Sequence, residues 1–155
     1  MTAASALSDP SASAAGVSAA LANFLAASRW EDIPSTARHE AKRALLSYFG
    51  TALGGSRDIA ILRLQQVLSR FSGPAEASVI GHEPRLDMLS AAFVNAAASN
   101  VFDFDDTHDP TIIHPTAPVA PVLFSLAEQQ PVSGCDLLHA FILGVEVECR
   151  LGNAI

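Results

Sequence analysis

Apolar residues recur along this chain at helical spacing, and they predict six α-helices with almost no strand. The clearest helix begins at Pro34, Ser35 and Thr36 and ends at Gly54 and Gly55, which are typical start and stop signals. Its apolar face consists of Ala41, Ala44, Leu45, Tyr48, Phe49 and Ala52. These positions follow the period of an α-helix. We therefore expect an all-α fold.

Five further patterns complete this prediction. They cover 17–28, the stretch from Asp58 to Gly73, 88–102, 119–128, and the stretch after Ser133. Asp58 is a typical N-cap, and Ser133 with Asp136 forms a capping box. Residues 88–102 are apolar nearly all the way round, which is typical of a helix inside a protein. Residues 78–80 could form an isolated strand.

Composition limits the class of protein. Half of the 155 residues are apolar and only 16% are charged, against about a quarter in typical soluble domains. We therefore expect a partner or further chain to cover apolar surface. The net charge of -7 argues against nucleic acid or an anionic membrane surface as a partner. No apolar run reaches the roughly 18 residues of a membrane span.

The two ends of the chain differ from its middle. Residues 1–16 are rich in Ala and Ser and lack the features of a signal peptide, so we expect a disordered tail before a helical domain at 17–155. The final residues, RLGNAI, lack the polar, frayed character expected at a natural chain end. We therefore expect the helical domain to be the incomplete N-terminal portion of a larger domain. Cys135 and Cys149 are too far apart for a CxxC motif, which favours free thiols in a cytoplasmic protein.

Candidate chemistry concentrates in residues 99–118, which read SNVFDFDDTHDPTIIHPTAP. The segment holds four aspartates and two histidines, and no Lys or Arg occurs between Arg85 and Arg150 to neutralise them. Like charges that are crowded and partly desolvated raise carboxyl pKa values. We therefore expect at least one carboxyl group with a raised pKa, as in a proton-transfer site.

Three interpretations of this segment are open on its chemistry alone. In the first, Asp103, Asp105, His108 and His114 bind a metal ion, although their spacing matches no established metal motif. In the second, His114 and one aspartate transfer protons while Thr107 positions a substrate. In the third, the polar side chains only satisfy backbone groups in a tight connection between helices.

Residues 91–152 resemble the MmgE/PrpD family of 2-methylcitrate dehydratases and cis-aconitate decarboxylases. The resemblance is carried by Phe-Asp-Asp-Thr-His at 104–108, by His-Pro at 114–115 and by the helix that ends EVECRL. It extends upstream through ALLSYFGTALGG and ASVIGH. Two departures stand out, since Asn95-Ala96 replaces the usual Asn-Gly and Ser99-Asn100 replaces the usual Ala-His.

The resemblance implies a lyase-type enzyme that acts on small di- or tricarboxylic acids without a metal or organic cofactor. Its fold would pair a large all-helical domain, of which this chain is the N-terminal part, with an α/β lid domain that is absent here. Position by position, Asp103, Thr107 and His114 match the catalytic residues, with His114 as the proton shuttle. Asp106 and His108, which lie beside Thr107, are expected to bind substrate.

This resemblance leads us to expect a 2-methylcitrate dehydratase-like carbon-oxygen lyase, with decarboxylase-like or epimerase-like activity as alternatives. A polyanionic substrate needs cations, and the segment around Asp103 and His114 has none. We therefore expect the chain to be inactive alone and to need a homodimer or a separately encoded C-terminal half. A non-catalytic helical interaction module is the hypothesis from a different class.

Overall fold

The computed structural model describes residues 10–154, and these form six α-helices without a β-strand. The helices are α1 (Pro10–Ala27), α2 (Ser35–Gly55), α3 (Ile59–Leu68), α4 (Met88–Asn100), α5 (Thr116–Ala127) and α6 (Gly134–Ala154). A short 3-10 helix, Trp30–Asp32, separates α1 from α2. The predicted all-α class is confirmed. Across the described residues, every helix is too short or too polar to cross a membrane.

The first unit of the chain ends at Asp32 and contains α1 and the 3-10 helix. α1 begins at Pro10, earlier than the predicted start at residue 17. Alanine has the highest helix propensity and proline fits the first turn of a helix, so the segment PSASAAG extends the helix. Residues 1–9 of the expected tail lie outside the described residues.

In the second unit, Ile33–Ile155, α3, α4 and α6 begin where the sequence predicts, because side chains cap them. The Asp58 carboxylate accepts a hydrogen bond of 2.8 Å from the N–H two residues further on. Asp87 accepts two bonds of 3.1 Å from the second and third N–H groups after it. At the start of α6, Ser133 Oγ accepts the Asp136 N–H at 3.1 Å. Each cap satisfies N–H groups that have no partner within the helix.

α3 ends at Leu68, before the predicted stop at Gly73. The residues after it turn toward α4, where the Asp87 carboxylate binds them. Ser72 Oγ donates to Asp87 Oδ2 at 2.8 Å, and the Gly73 N–H donates to the same oxygen at 3.3 Å. Phe71 consequently lies beyond the helix and is exposed.

α4 is the central helix of the second unit. It packs against α2, α3 and α5, while α6 packs against α2 and α5. The main core lies on one face of α4 and comprises Ile61, Ala77, Val79, Leu86, Ala91, Val94 and Ala98. Leu89 and Phe93 on another face of α4 are exposed. The prediction that this helix is buried all round is therefore wrong within the described residues.

Residues 78–80 do not form the strand that their sequence allows. The side chain of Asn95, on α4, pairs with the backbone there instead. Its Oδ1 accepts the Ile80 N–H at 2.8 Å, and its Nδ2 donates to the Ser78 carbonyl at 2.9 Å. Asn95 is buried, so one side-chain amide replaces the neighbouring strand that backbone groups would otherwise need.

Candidate active site

The acidic segment forms the loop between α4 and α5, and its backbone folds back on itself. The His108 N–H donates to the Ile113 carbonyl at 2.8 Å, and the Ile112 N–H donates to the His108 carbonyl at 2.8 Å. Ile112 and Asp103 both have φ of 56°, a region that residues other than glycine rarely adopt. The turn returns the chain, so that His114 lies beside the aspartates at the start of the loop.

His114 lies between two carboxylates. Its Nε2 is 3.6 Å from Asp103 Oδ1, and its Nδ1 is 3.3 Å from Asp105 Oδ1. The two aspartates differ in environment, because the Asp103 side chain is 83% exposed whereas the Asp105 side chain is 3% exposed. His114 Nδ1 is buried and makes no aligned hydrogen bond, although Asp105 is within reach. The ring therefore faces one buried and one solvated carboxylate.

Asn100, the last residue of α4, holds the buried carboxylate in place. Its Nδ2 lies 3.0 Å and 3.1 Å from the two oxygens of Asp105 and donates to them. A buried charge is costly unless hydrogen bonds compensate for it. The end of α4 therefore supplies the donor that allows Asp105 to lie beneath the His114 ring.

An open groove between α4 and α5 has His114 in its wall. Its volume is about 590 Å³, and its walls are mainly apolar, with Leu89, Phe93, Ala96, Pro118 and Val122 among them. Asn100 lies in the same wall. None of the described residues that line the groove is Lys or Arg, so a carboxylate bound here would meet no cation from this part of the chain.

Asp106 faces away from His114, toward α2 and α6. Its Oδ2 accepts the Thr116 hydroxyl at 2.6 Å and its Oδ1 accepts the Thr116 N–H at 3.3 Å, which ties the loop to the start of α5. Asp106 lines a separate cavity of about 290 Å³ with residues that include Ala41, Phe141 and Glu146. It is thus a neighbour of Asp105 in sequence but lies on another side of the loop.

Thr107 and His108 lie on the same loop, outside the contact between His114 and the two aspartates. Thr107 is exposed, and its hydroxyl makes no hydrogen bond within residues 10–154. His108 Nδ1 is 2.7 Å from the Thr111 hydroxyl, so its ring is bound within its own turn. The structure therefore places His114 beside Asp103 but does not bring Thr107, Asp106 or His108 into contact with them.

Among the described residues, a raised carboxyl pKa falls on Glu148, on α6, which lies outside residues 99–118, the segment where the sequence led us to expect one. Burial raises its pKa, and the negative charge of Asp106 adds to the effect. Its Oε2 is buried without a hydrogen-bond partner. The thiol of the next residue, Cys149, also has a raised pKa because of burial and the nearby carboxylates. The negative charge of Asp106 thus acts beyond the loop, on a carboxyl group of α6.

Three groups in this site could act as metal ligands. Asp103, Asp105 and His114 each place one donor atom within 4.8 Å of the others. Carboxylate and imidazole ligands suit several divalent ions. The two short contacts, however, reach opposite nitrogens of the ring, and structural zinc sites have four ligands. The arrangement therefore favours pairing of the ring with two carboxylates over a metal centre.

Comparison with known proteins gives the family. The model of the MmgE/PrpD N-terminal domain matches residues 19–155. This chain belongs to the MmgE/PrpD family. It is 32% identical over 145 residues to a cis-aconitate decarboxylase of Aspergillus terreus (strain NIH 2624 / FGSC A1156), a match that covers 90% of this chain and 30% of that protein. The cis-aconitate decarboxylases of Mus musculus and Homo sapiens are 38% and 39% identical over 116 residues, covering 72% of this chain and 24% of each enzyme.

This MmgE/PrpD N-terminal domain thus spans less than a third of the length of these relatives. The resemblance identified from the motifs at 104–108 and 114–115 is confirmed at the level of the family. Sequence reasoning did not single out the contact of Asn100 with Asp105. The only signal was that Asn100 departs from the usual family residue, and its partner depends on how the loop folds.

Proposed function

We propose that this MmgE/PrpD domain supplies the proton-transfer part of an active site for a small di- or tricarboxylic acid. The observation that supports this role is His114, whose ring lies between the carboxylates of Asp103 and Asp105 in the wall of an open groove. Histidine is the side chain most often used as a general acid or base. We propose that Asp103, whose exposed carboxylate lies 3.6 Å from His114 Nε2, contacts the substrate.

Decarboxylation of cis-aconitate is the first candidate reaction, because relatives that are 32–39% identical carry that name. When the bond to a carboxylate breaks, CO2 leaves and the electron pair stays on the substrate, which then takes up one proton. His114 Nε2 would deliver that proton. The reaction needs neither an oxidant nor a reductant, and side chains alone can supply its proton.

Dehydration of a 2-methylcitrate-like acid is the second candidate. A base removes a proton from the carbon next to a carboxylate, and the hydroxyl group leaves as water after it gains a proton. The same ring could perform the first of these steps. Thr107 is exposed on the same loop and is available to position the leaving hydroxyl, whereas Asp106 and His108 hold the loop through Thr116 and Thr111.

The remaining part of the proposed site must be cationic. A tricarboxylate carries several negative charges, and Arg or Lys normally bind them. The nearest arginines in sequence, Arg85 and Arg150, are paired with Glu128 at 2.7 Å and Glu146 at 2.6 Å. We propose that a separately encoded C-terminal half supplies the cations and that this chain alone is inactive. Turnover by the chain alone would instead favour a second copy as the source of the cations. We also propose a cytoplasmic location, which the free thiols of Cys135 and Cys149 support.

A complementation assay tests this function. The 155-residue chain is assayed with cis-aconitate and 2-methylcitrate in three forms: alone, mixed with the product of the adjacent downstream gene, and as a chimera. In the chimera it replaces the matching region of the Aspergillus terreus enzyme. We expect no turnover by the chain alone and turnover in at least one of the other two preparations.

Variants of His114 assign the chemistry in the active preparation. His114→Ala should lower kcat by about 10²–10⁴-fold, the usual contribution of general acid-base catalysis. His39→Ala, which removes an exposed histidine from α2, should leave kcat unchanged. A folded chimera that turns over neither acid, while the parent enzyme is active, would contradict the proposal and favour a helical interaction module. Full activity of His114→Ala would contradict the role of this ring.

A further inference from the structure

We propose that Asp105 and Asn100 are positioning residues that fix the tautomer of His114. The Asp105 carboxylate, held by the Asn100 amide, accepts a hydrogen bond from Nδ1–H and leaves Nε2 as the atom that transfers protons. This inference rests on the proposed role of His114. It adds two residues that do not touch the substrate and that act through the ring.

The first support is the contrast between the two carboxylates. Both lie near the ring, but the Asp105 side chain is 3% exposed and the Asp103 side chain is 83% exposed. Water screens an exposed charge, whereas a buried charge acts in a medium of lower effective dielectric constant. Asp105 therefore determines where the ring proton lies, and Asp103 does so only weakly.

The second support is the unsatisfied nitrogen of the ring. His114 Nδ1 is buried, makes no hydrogen bond, and lies 3.3 Å from Asp105 Oδ1. A buried polar atom without a partner is unfavourable, and Asp105 is the acceptor within reach. Catalytic hydrogen bonds in enzymes without substrate are often poorly aligned and tighten in the complex. A small rotation of the ring would align this one.

The third support is the way Asp105 is held. Asn100 Nδ2 contacts both carboxylate oxygens, at 3.0 Å and 3.1 Å, and it projects from the last residue of α4. An amide donates hydrogen bonds without changing its own charge. The carboxylate is therefore fixed to a rigid element on one side and faces the ring on the other. This is the order expected of a donor, an orienting acid and a proton-transfer base.

Long-range ¹H–¹⁵N NMR of the histidine side chains tests the inference on the 155-residue chain itself. Spectra are recorded at a pH above which the His114 signals no longer move, so that the ring is neutral, and with EDTA present and absent. We expect the Nδ1–H tautomer to exceed the Nε2–H tautomer about tenfold or more, as a hydrogen bond to a charged acceptor can produce. EDTA should leave the signals unchanged.

Three variants separate the roles of the neighbouring residues. Asp105→Asn should shift His114 toward the Nε2–H tautomer, because the new amide can donate to Nδ1. Asn100→Ala should give a mixture of the two tautomers, because the Asp105 carboxylate loses the hydrogen-bond donor that holds it. Asp103→Asn is the matched control, which removes a carboxylate near the same ring and should leave Nδ1–H dominant. Backbone amide spectra show whether each variant is folded.

The inference fails if wild-type His114 is mainly Nε2–H, if folded Asp105→Asn keeps Nδ1–H dominant, or if EDTA shifts the wild-type signals as a bound metal would. In the active preparation, Asp105→Asn should lower kcat by about 10²-fold or more while KM changes little. If His114→Ala abolishes turnover but Asp105→Asn does not, only this inference is overturned. If no preparation turns over, the tautomer measurements still decide it.

Discussion

Tyr48 on α2 has one of the largest fully buried side chains of the chain, and its hydroxyl group has no partner among the described residues. The ring stacks on Phe124 with centroids 6.2 Å apart, and burial raises the pKa of the hydroxyl. Because an unpaired buried hydroxyl is unfavourable, Tyr48→Phe should raise the free energy of unfolding by about 1 kcal/mol. Urea denaturation followed by circular dichroism measures the change.

The matched variant at this position is Tyr48→Ala. It removes the stacked ring as well as the hydroxyl, so it should cost about 3–5 kcal/mol. If Tyr48→Phe instead destabilised the protein, the hydroxyl would have a partner that matters for folding.

Three aspartates of the loop have environments that the sequence does not determine. The aspartates at 103, 105 and 106 are chemically identical in the sequence, and the structure gives them three different environments. Asp103 is exposed, Asp105 is buried beside His114, and Asp106 binds Thr116 on another side of the loop. The crowding of acids could be predicted, but their directions depend on the turn that pairs residues 108 and 113, which the sequence does not specify.

At the scale of elements, the contact between α2 and α4 depends on one glycine. A Cβ atom added to Gly55 would overlap the Ala98 carbonyl and contact the Val101 side chain. Gly55→Ala should therefore push the helices apart and cost about 1–3 kcal/mol, the range of overpacking in cores. Thermal denaturation of the variant measures this loss.

The neighbouring glycine is the control for that prediction. Gly54 is exposed, and a Cβ atom there would meet nothing within 4 Å. Gly54→Ala should be neutral or stabilise the protein by up to about 1 kcal/mol, because alanine favours a helix over glycine. Equal changes in stability in the two variants would show that helix propensity, and not the contact with α4, determines the stability of Gly55→Ala.

The starts of α3, α4 and α6 could be predicted because their signals are local. Asp58, Asp87 and Ser133 bind N–H groups two or three residues away, so the sequence contains both partners of each cap. The early end of α3 and the absence of a strand at 78–80 could not be predicted in this way. They depend on Asp87 and Asn95, which lie about 15 residues further along the chain than the backbone they bind.

For the whole molecule, two glutamates with opposite pKa shifts contribute to the pH dependence of stability. Burial alone would raise the pKa of Glu128, but hydrogen bonds from Ser78 and the charge of Arg85 outweigh it and lower the pKa. The bond from the Ser78 N–H is 2.8 Å long and joins residues 50 positions apart. Burial and the charge of Asp106 raise the pKa of Glu148 instead.

These shifts have opposite consequences for folding. A lowered folded pKa gives stability that is present above the unfolded value of about 4.3 and is lost as the pH falls through the folded pKa. A raised folded pKa gives stability that is present below about 4.3 and is lost as the pH rises through the folded pKa. At neutral pH, Glu128 therefore stabilises the fold and Glu148 destabilises it.

Glutamine at either position removes the charge while it keeps the size of the side chain. At pH 7, Glu128→Gln should lower the free energy of unfolding by about 0.5–1 kcal/mol, since its pairing is partly exposed, and Glu148→Gln should raise it. The Glu128 difference should shrink as the pH falls from about 4.3 through its lowered folded pKa, whereas the Glu148 difference should already shrink as the pH falls through its raised folded pKa toward about 4.3. Urea titrations from acid to neutral pH measure both curves. Shifts of the same sign at pH 7 would contradict this account, because they would mean that the charge of Glu148 has a partner that its buried Oε2 lacks among the described residues.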